Sequence, residues 1–289
     1  MLLRIRHATT YHYDRPAQSV IQLLRMTPRP YEGQTVRKWR IDLENDGTLR
    51  SGQDAFGNIT HMLSLAGPVE TVTLTVEGEV EKQDTGGILR NTLETFPPAL
   101  FLRETDLTRP NAEMVDFARK VAAKAGGSQL KLLHELLGTI NREIAFDTEP
   151  TDAATAAVEA FALKRGVCQD LTHIFIACAR SLGLPARYIG GYLWHSDEMS
   201  QEEAGHAWAE VYVNDLGWVG FDAANGICPT EAHVRVSVGL DYLGAAPVRG
   251  SRYGGAEERL EVAVTVDRAG LQQQSQSPMT PVAGADHDQ

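Results

Sequence analysis

Between residues 71 and 81 the chain alternates. Val72, Leu74, Val76 and Val80 fall on one parity, and Thr73, Thr75, Glu77, Glu79 and Glu81 on the other. A period of two marks a strand with one buried face. Leu3, Ile5 and His7 alternate with Arg4 and Arg6 in the same way. Asn45-Asp46-Gly47 and Asp54-Ala55-Phe56-Gly57-Asn58 interrupt the pattern with turn-forming residues. Residues 1–100 therefore predict a β-rich, sandwich-like module of several short strands.

The period changes after Pro97-Pro98. A helix is predicted over 111–125, stopped by Gly126-Gly127. A second spans 128–144, with Ser128 as N-cap and Leu132, Leu133, Leu136, Leu137 and Ile140 as an apolar stripe. A third runs from about 153 to 164 behind the capping candidates Thr151 and Asp152, and Gly166 breaks the chain after it. A fourth begins at Cys168 and ends at Leu182-Gly183-Leu184-Pro185. Strands follow at 186–194, 206–213, 217–222 and 259–266. Residues 101–268 thus read as one α+β core that includes its C-terminal strand. Residues 269–289, rich in Gln, Ser, Pro and Gly, read as a disordered tail. There are no internal repeats.

Length and composition narrow the partners. The chain has 289 residues, 43% apolar and 22% charged, which is ordinary for a soluble globular protein. A net charge of −11 repels phosphate backbones and anionic lipid, so neither nucleic acid nor membrane is expected as a partner. The three cysteines, Cys168, Cys178 and Cys228, are too few and odd in number for a disulfide framework, and suit a reducing compartment. The N-terminal segment is too short and too charged for a signal-peptide core, and no apolar run reaches the ~18–20 residues of a membrane span. A cytoplasmic protein is expected. Oligomeric state leaves no trace in the sequence.

The chemistry concentrates at Gly166-Val167-Cys168-Gln169-Asp170. Cys168 sits in the first turn of the fourth helix, where unpaired backbone N–H groups and the helix dipole favour an anion such as a thiolate. The same N–H groups can hold an oxyanion. A thiol nucleophile needs a base, and the base needs an orienting partner. His206 opens the strand His-Ala-Trp-Ala-Glu-Val-Tyr-Val, and Asp222 closes Gly-Trp-Val-Gly-Phe-Asp. Asn214-Asp215-Leu216-Gly217 lies between them as a hairpin turn. Folding the hairpin brings His206 and Asp222 to the same end of the ribbon, as a His–Asp pair requires.

These segments resemble those of the bacterial transglutaminase-like proteins, whose superfamily shares a papain-like core. Gly166-Val167-Cys168-Gln169-Asp170 is similar to the nucleophile motif, Gly205-His206-Ala207-Trp208-Ala209-Glu210-Val211 to the histidine motif and Gly217-Trp218-Val219-Gly220-Phe221-Asp222 to the aspartate motif. Pro185-Ala186-Arg187-Tyr188 and Gly190-Gly191-Tyr192-Leu193 resemble the strand after the nucleophile helix, and His233-Val234-Arg235-Val236 the C-terminal segment. His7-Ala8-Thr9-Thr10-Tyr11-His12-Tyr13 and Asp54-Ala55-Phe56-Gly57-Asn58 resemble the β-rich region that accompanies this subfamily. Ala223-Ala224 stands where the family often has Pro-Thr, and Leu240 where it often has Arg. The resemblance implies helices packed on an antiparallel sheet, with Cys168 as nucleophile, His206 as base and Asp222 as orienter. It implies a thioester formed on a peptide or protein amide, without metal or organic cofactor. Hydrolysis, as in a peptidase or deamidase, is the favoured outcome. Transamidation is the alternative within enzymes, and a non-catalytic binding module the alternative outside them.

Other residues are weighed beside these. Cys178 shares the stripe Leu171, Phe175, Cys178, Leu182, which is a core face, and Cys228 is incidental in a loop. A zinc site from Cys168, His173 and Cys178 fails because residues five apart on a helix diverge by about 140°. His134-Glu135 lacks the second histidine of a zincin helix. Gln169, Trp208, Tyr192 and Trp194 are the candidate substrate-binding residues, although Trp208 suits the core somewhat better than the cleft. Asp170 either assists the site or complements the helix dipole. The polar loop 195–205 reads as a rim or lid.

Overall fold

The structure is a computed structural model describing residues 1–149, 151–195, 205–255 and 257–269. The polar loop from 196 to 204, and the predicted tail from 270 onward, lie outside the described residues.

Two long strands carry the N-terminal module. β1 (Leu2–Thr27) and β4 (Ile59–Lys82) span 26 and 24 residues and pair antiparallel from Leu2↔Glu81 to Thr27↔Ile59. β2 (Gln34–Leu43) and β3 (Thr48–Gln53) add to β4. The turn at Asn45-Asp46-Gly47 falls between β2 and β3, and the turn at 54–58 between β3 and β4. The expectation of several short strands is thus corrected: register shifts between His12 and Ala17 bend β1 without ending it.

The helices follow their caps. The Asn111 side chain accepts the Met114 N–H at 2.9 Å and opens α1 (Ala112–Lys124). Ser128 caps α2 (Gln129–Glu143), which buries Leu133, Leu136, Leu137 and Ile140. Then come β5 (Ala145–Phe146), α3 (Ala157–Leu163) and β6 (Arg165–Gly166), the two short strands pairing in parallel. α3 starts later than the sequence suggests, because Glu159 reaches back to the Ala156 N–H at 2.8 Å and fixes the first turn there. α4 (Cys168–Ser181) is buried on every side from Asp170 to Arg180. Its last turn is held by Arg180, whose guanidinium donates to the carbonyls of Phe101, Ala186 and Leu240.

α4 packs on a four-stranded antiparallel sheet in the order β10-β7-β8-β9, formed by β7 (Ala186–Leu193), β8 (His206–Val213), β9 (Gly217–Phe221) and β10 (His233–Gly239). After the short α5 (Tyr242–Ala245) the chain returns to the first sheet. β11 (Val248–Gly254) pairs with β1 from Ala17 to Leu24, and β12 (Glu258–Arg268) pairs with it from Leu3 to Tyr13. The C-terminal strand expected in the core therefore belongs to the N-terminal sheet. Its alternation declares a strand but not a partner, and the exposed edge of β1 is the edge it covers.

The two sheets meet along β10, the edge strand of its sheet. Two amide side chains from the N-terminal module stand in for a neighbouring strand. Gln34 donates to the Arg235 carbonyl and accepts its N–H, at 2.8 and 2.9 Å. Asn58 does the same for Val238, both bonds at 2.8 Å. Leu3, Ile5, Val80 and Val264 pack against Tyr192, Val234 and Val236 in the same seam. Among the described residues, no helix is long and apolar enough to cross a membrane.

Candidate active site

Cys168 occupies the first position of α4. Val167 before it is extended (φ −93°, ψ −178°) and has no capping side chain of its own. Asp170 supplies the cap instead: its Oδ2 accepts the Val167 N–H at 2.8 Å and the Thr151 hydroxyl at 2.7 Å. A side chain at Gly166 would put a Cβ 2.6 Å from that same oxygen, so the glycine is required by close approach. Burial raises the Asp170 pKa, against the pull of its hydrogen bonds. Of its two readings, Asp170 is a cap that sets the angle at which the chain enters the nucleophile turn. Thr151, a capping candidate for α3, serves this cap.

β8 delivers His206 opposite Gly191 of β7. Asp222 follows β9 at a tight turn closed by reciprocal backbone hydrogen bonds with Ile227. The His206 Nε2 lies 2.8 Å from Asp222 Oδ2, and the ring lines the same cleft as Cys168, near enough for the thiol to add to its electrostatics. With Nε2 engaged by the carboxylate, Nδ1 is the nitrogen left to face sulfur. Burial alone would lower the His206 pKa, but Asp222 and then Cys168 override it and hold it well above the usual histidine range. Burial likewise opposes ionisation of Asp222, yet His206 and then His233 hold that carboxyl well below the usual range. Both residues are almost wholly buried, so this is an ion pair maintained by geometry.

Asp222 is held from every side. Its Oδ1 accepts the N–H groups of Ala224 and Asn225 at 3.1 and 3.2 Å, as an Asx turn does. Its Oδ2 also receives the Asn225 amide at 2.7 Å and His233 Nε2 at 3.1 Å. The Thr230 N–H donates to His233 Nδ1 at 3.1 Å, so His233 carries its proton on Nε2 and donates it to Asp222. Sequence reasoning gave neither Asn225 nor His233 a role. The signal for His233 is the polar parity of β10: His233, Arg235 and Ser237 alternate with three valines.

His206, Asp222 and His233 are also a set whose ligand atoms lie within 4.8 Å of one another, close enough by composition to hold a metal. Their chemistry does not fit one. The Nε2 of His233 is the protonated nitrogen, and a protonated nitrogen has no lone pair to give. The Nε2 of His206 already bonds the same carboxylate oxygen. The cluster is a hydrogen-bonded chain, with no donors left over for a cation.

The thiol and imidazole open onto a cleft of about 740 Å³. Gln169 and Tyr192, both candidate substrate residues, line it, as do Tyr188, Tyr242, Gly190 and Gly191. Trp208 does not. It is 2% exposed and packs edge-on to His233 at 5.3 Å and obliquely against His206 at 6.1 Å, bracing the triad from behind. Trp194 also lies off the cleft and packs with Leu3, Ile5 and Tyr192 in the seam between sheets. Among the four candidates, Trp208 is thus a buried packing residue and Trp194 a half-buried one at the seam, while Gln169 and Tyr192 face the cleft. Behind the sheet, the fully buried Glu210 is bound by Arg187 (2.7 Å) and Arg235 (2.7 Å), tying β7, β8 and β10 together.

Comparison with known proteins gives the same outline. An uncharacterised protein of Mycobacterium leprae is 28% identical over 281 residues, covering 92% of this chain and 98% of its own. One from Mycobacterium tuberculosis is 28% identical over 287 residues, covering 91% of each. A solved structure from Cytophaga hutchinsonii, provisionally named a cysteine protease, shares the fold with a TM-score of 0.68 at 19% identity, over 91% of this chain and 90% of that one. Residues 3–81 match the bacterial transglutaminase-like N-terminal region, and residues 115–223 match the transglutaminase-like superfamily. The chain thus carries a bacterial transglutaminase-like N-terminal region followed by a transglutaminase-like core.

Proposed function

We propose that the protein is a cysteine hydrolase acting on peptide or glutamine-type amides through a thioester, with Cys168 as nucleophile, His206 as general base and acid, and Asp222 as orienter. The observation that carries this reading is that Cys168 and His206 line one cleft, with the buried Asp222 carboxylate 2.8 Å from the His206 ring. Cys168 sulfur attacks the amide carbonyl carbon, and backbone N–H groups at the start of α4 stabilise the oxyanion. The C–N bond then breaks, with His206 passing its proton to the leaving amine. Water, deprotonated by His206, attacks the thioester and releases the acid and the thiol. Gln169 and Tyr192 contact the substrate. The proposed partner is a peptide or protein, and the proposed setting is a reducing, cytoplasmic one, in keeping with three unpaired cysteines.

The test is a parallel assay of wild type and Cys168→Ala on a mixed peptide library, with and without a primary amine, read by mass spectrometry. Cleaved or deamidated peptides from wild type alone are expected. Amine adducts in their place would make the protein a transglutaminase. A silent wild type with an unreactive Cys168 would make it a binding module.

A further inference from the structure

The cleft that holds Cys168 is not built by the catalytic core alone. His7 and Arg25 of β1, and Pro247 just before β11, line it too. Arg25 stands out because its guanidinium is only half engaged. Its Nε donates to Asp54 Oδ2 at 2.7 Å, Nη1 is enclosed without an acceptor, and Nη2, the nitrogen that is not enclosed, has no hydrogen-bond acceptor among the described residues either. The side chain is 10% exposed. A buried guanidinium N–H without an acceptor is costly, and it is the group a carboxylate satisfies best. The protein shows what a completed arrangement looks like: Arg187 donates from Nε to Glu210 and from Nη1 and Nη2 to a second carboxylate, Glu94. Arg25 has the first carboxylate and lacks the second. The remaining walls of the cleft are largely apolar or aromatic, including Tyr188, Tyr192, Val236, Ala245 and Pro247, and they would strengthen such a bond by excluding water.

We infer that Arg25 is a specificity residue that binds a carboxylate of the substrate, so that the preferred peptides carry an acidic side chain or a free C-terminus near the reacting amide. This deepens the amide-hydrolase reading, and the N-terminal module thereby becomes part of the substrate site. Peptides are the proposed substrates, and the anions native to them are carboxylates, which points to this ligand rather than a phosphate.

The experiment uses full-length protein and matched peptides that differ only in Glu against Gln, Asp against Asn, or free acid against C-terminal amide. Wild type should favour the acids by about 10–100-fold in kcat/KM, mainly through KM, as expected for a hydrogen bond to a charged group. The Glu and Asp pairs report a side-chain carboxylate, and the terminal pair reports a C-terminus. In Arg25→Gln the preference should collapse toward unity. A role confined to propping Asp54 would lower acids and amides alike and keep the ratio. If Arg25→Gln does not fold, Arg25→Lys retains the charge but loses the fork, and the ratio should fall without vanishing. No acid preference in wild type, or one that survives in the variants, overturns the inference. Calorimetric titration of Cys168→Ala with the same peptides separates the two claims. Carboxylate-dependent binding that needs Arg25, without turnover in wild type, would sustain this site and reject the hydrolase. Turnover without carboxylate preference would do the reverse.

Discussion

Cys168, Cys178 and Cys228 share a chemistry and differ in surroundings. Cys178 is fully enclosed, and burial pushes its thiol up to about 12. Burial also raises Cys228. Cys168 lines the cleft beside the His206 imidazole, whose titration it shifts. Iodoacetamide at pH 6 should therefore modify Cys168 and leave Cys178 untouched, with peptide mapping as the readout. His206→Ala should slow that labelling about tenfold or more, because the base that activates the thiol is gone. The carboxylate behind it can be tested separately. Asp222→Asn keeps the shape but lets the amide favour the wrong tautomer, and kcat should fall about 10²–10⁴-fold. His233 touches no substrate and acts as a positioning residue. His233→Ala removes one donor to an ionised oxygen and should cost about 10–100-fold in kcat with KM little changed. His233→Gln retains an N–H donor and should recover most of the loss. Equal losses in both variants would show that His233 only fills space.

Elements explain what could and could not be seen in the chain. The nucleophile turn, the His206 strand and the hairpin through Asn214 are local, so periodicity and punctuation reveal them directly. Partnerships between distant segments leave no such mark. Gln34 and Asn58 look like ordinary polar residues until β10 needs its edge satisfied. β12 reads as a strand, but only the fold shows that it lies against β1. Trp208 on β8 and Trp194 just past β7 are compatible in sequence with either a cleft or a core, and tertiary packing decides. Glu210 belongs to this group as well: in sequence it is one acid on a strand, and in the fold it binds β7, β8 and β10 through two arginines. Burial works against its charge, but Arg235 and then Arg187 keep its pKa low. Removing one member of a buried network leaves the others uncompensated, at a cost of about 3–5 kcal/mol. Glu210→Gln should therefore lower unfolding stability by several kcal/mol in urea titrations, and a change below about 1 kcal/mol would mean that solvent reaches the arginines.

For the whole molecule, the buried histidines fix how stability depends on pH. His7 joins the sheets, with its ring nitrogens at 3.0 Å from the Tyr192 hydroxyl and 3.1 Å from that of Thr9. His173 lies within α4 and accepts the Tyr242 N–H at 3.0 Å. Burial lowers both to about 4, from an ordinary value of 6.5. Between those values the unfolded chain binds protons that the folded chain refuses, so stability falls as pH drops from 6.5 to 4, by at most about 3 kcal/mol per histidine. His206 has the opposite sign. Its raised pKa gives a contribution that is complete below 6.5 and is lost as pH rises toward the folded value. Asp222, with a lowered pKa, stabilises above the ordinary carboxylate range and loses that contribution only under stronger acid than the His7 and His173 window. Above about pH 7 the His206 loss is offset by Lys82, which burial lowers to about 7, so that the folded chain gains on the unfolded one as pH rises toward the ordinary lysine range. The acid limb is therefore the steep one, and thermal melts at pH 4.5 and 6.5 should show it. His173→Gln, which keeps an acceptor for the Tyr242 N–H but cannot titrate, should flatten that limb. An acid limb unchanged in that variant would assign the loss to His7 and to the seam between the sheets, the same seam that places Arg25 beside the cleft.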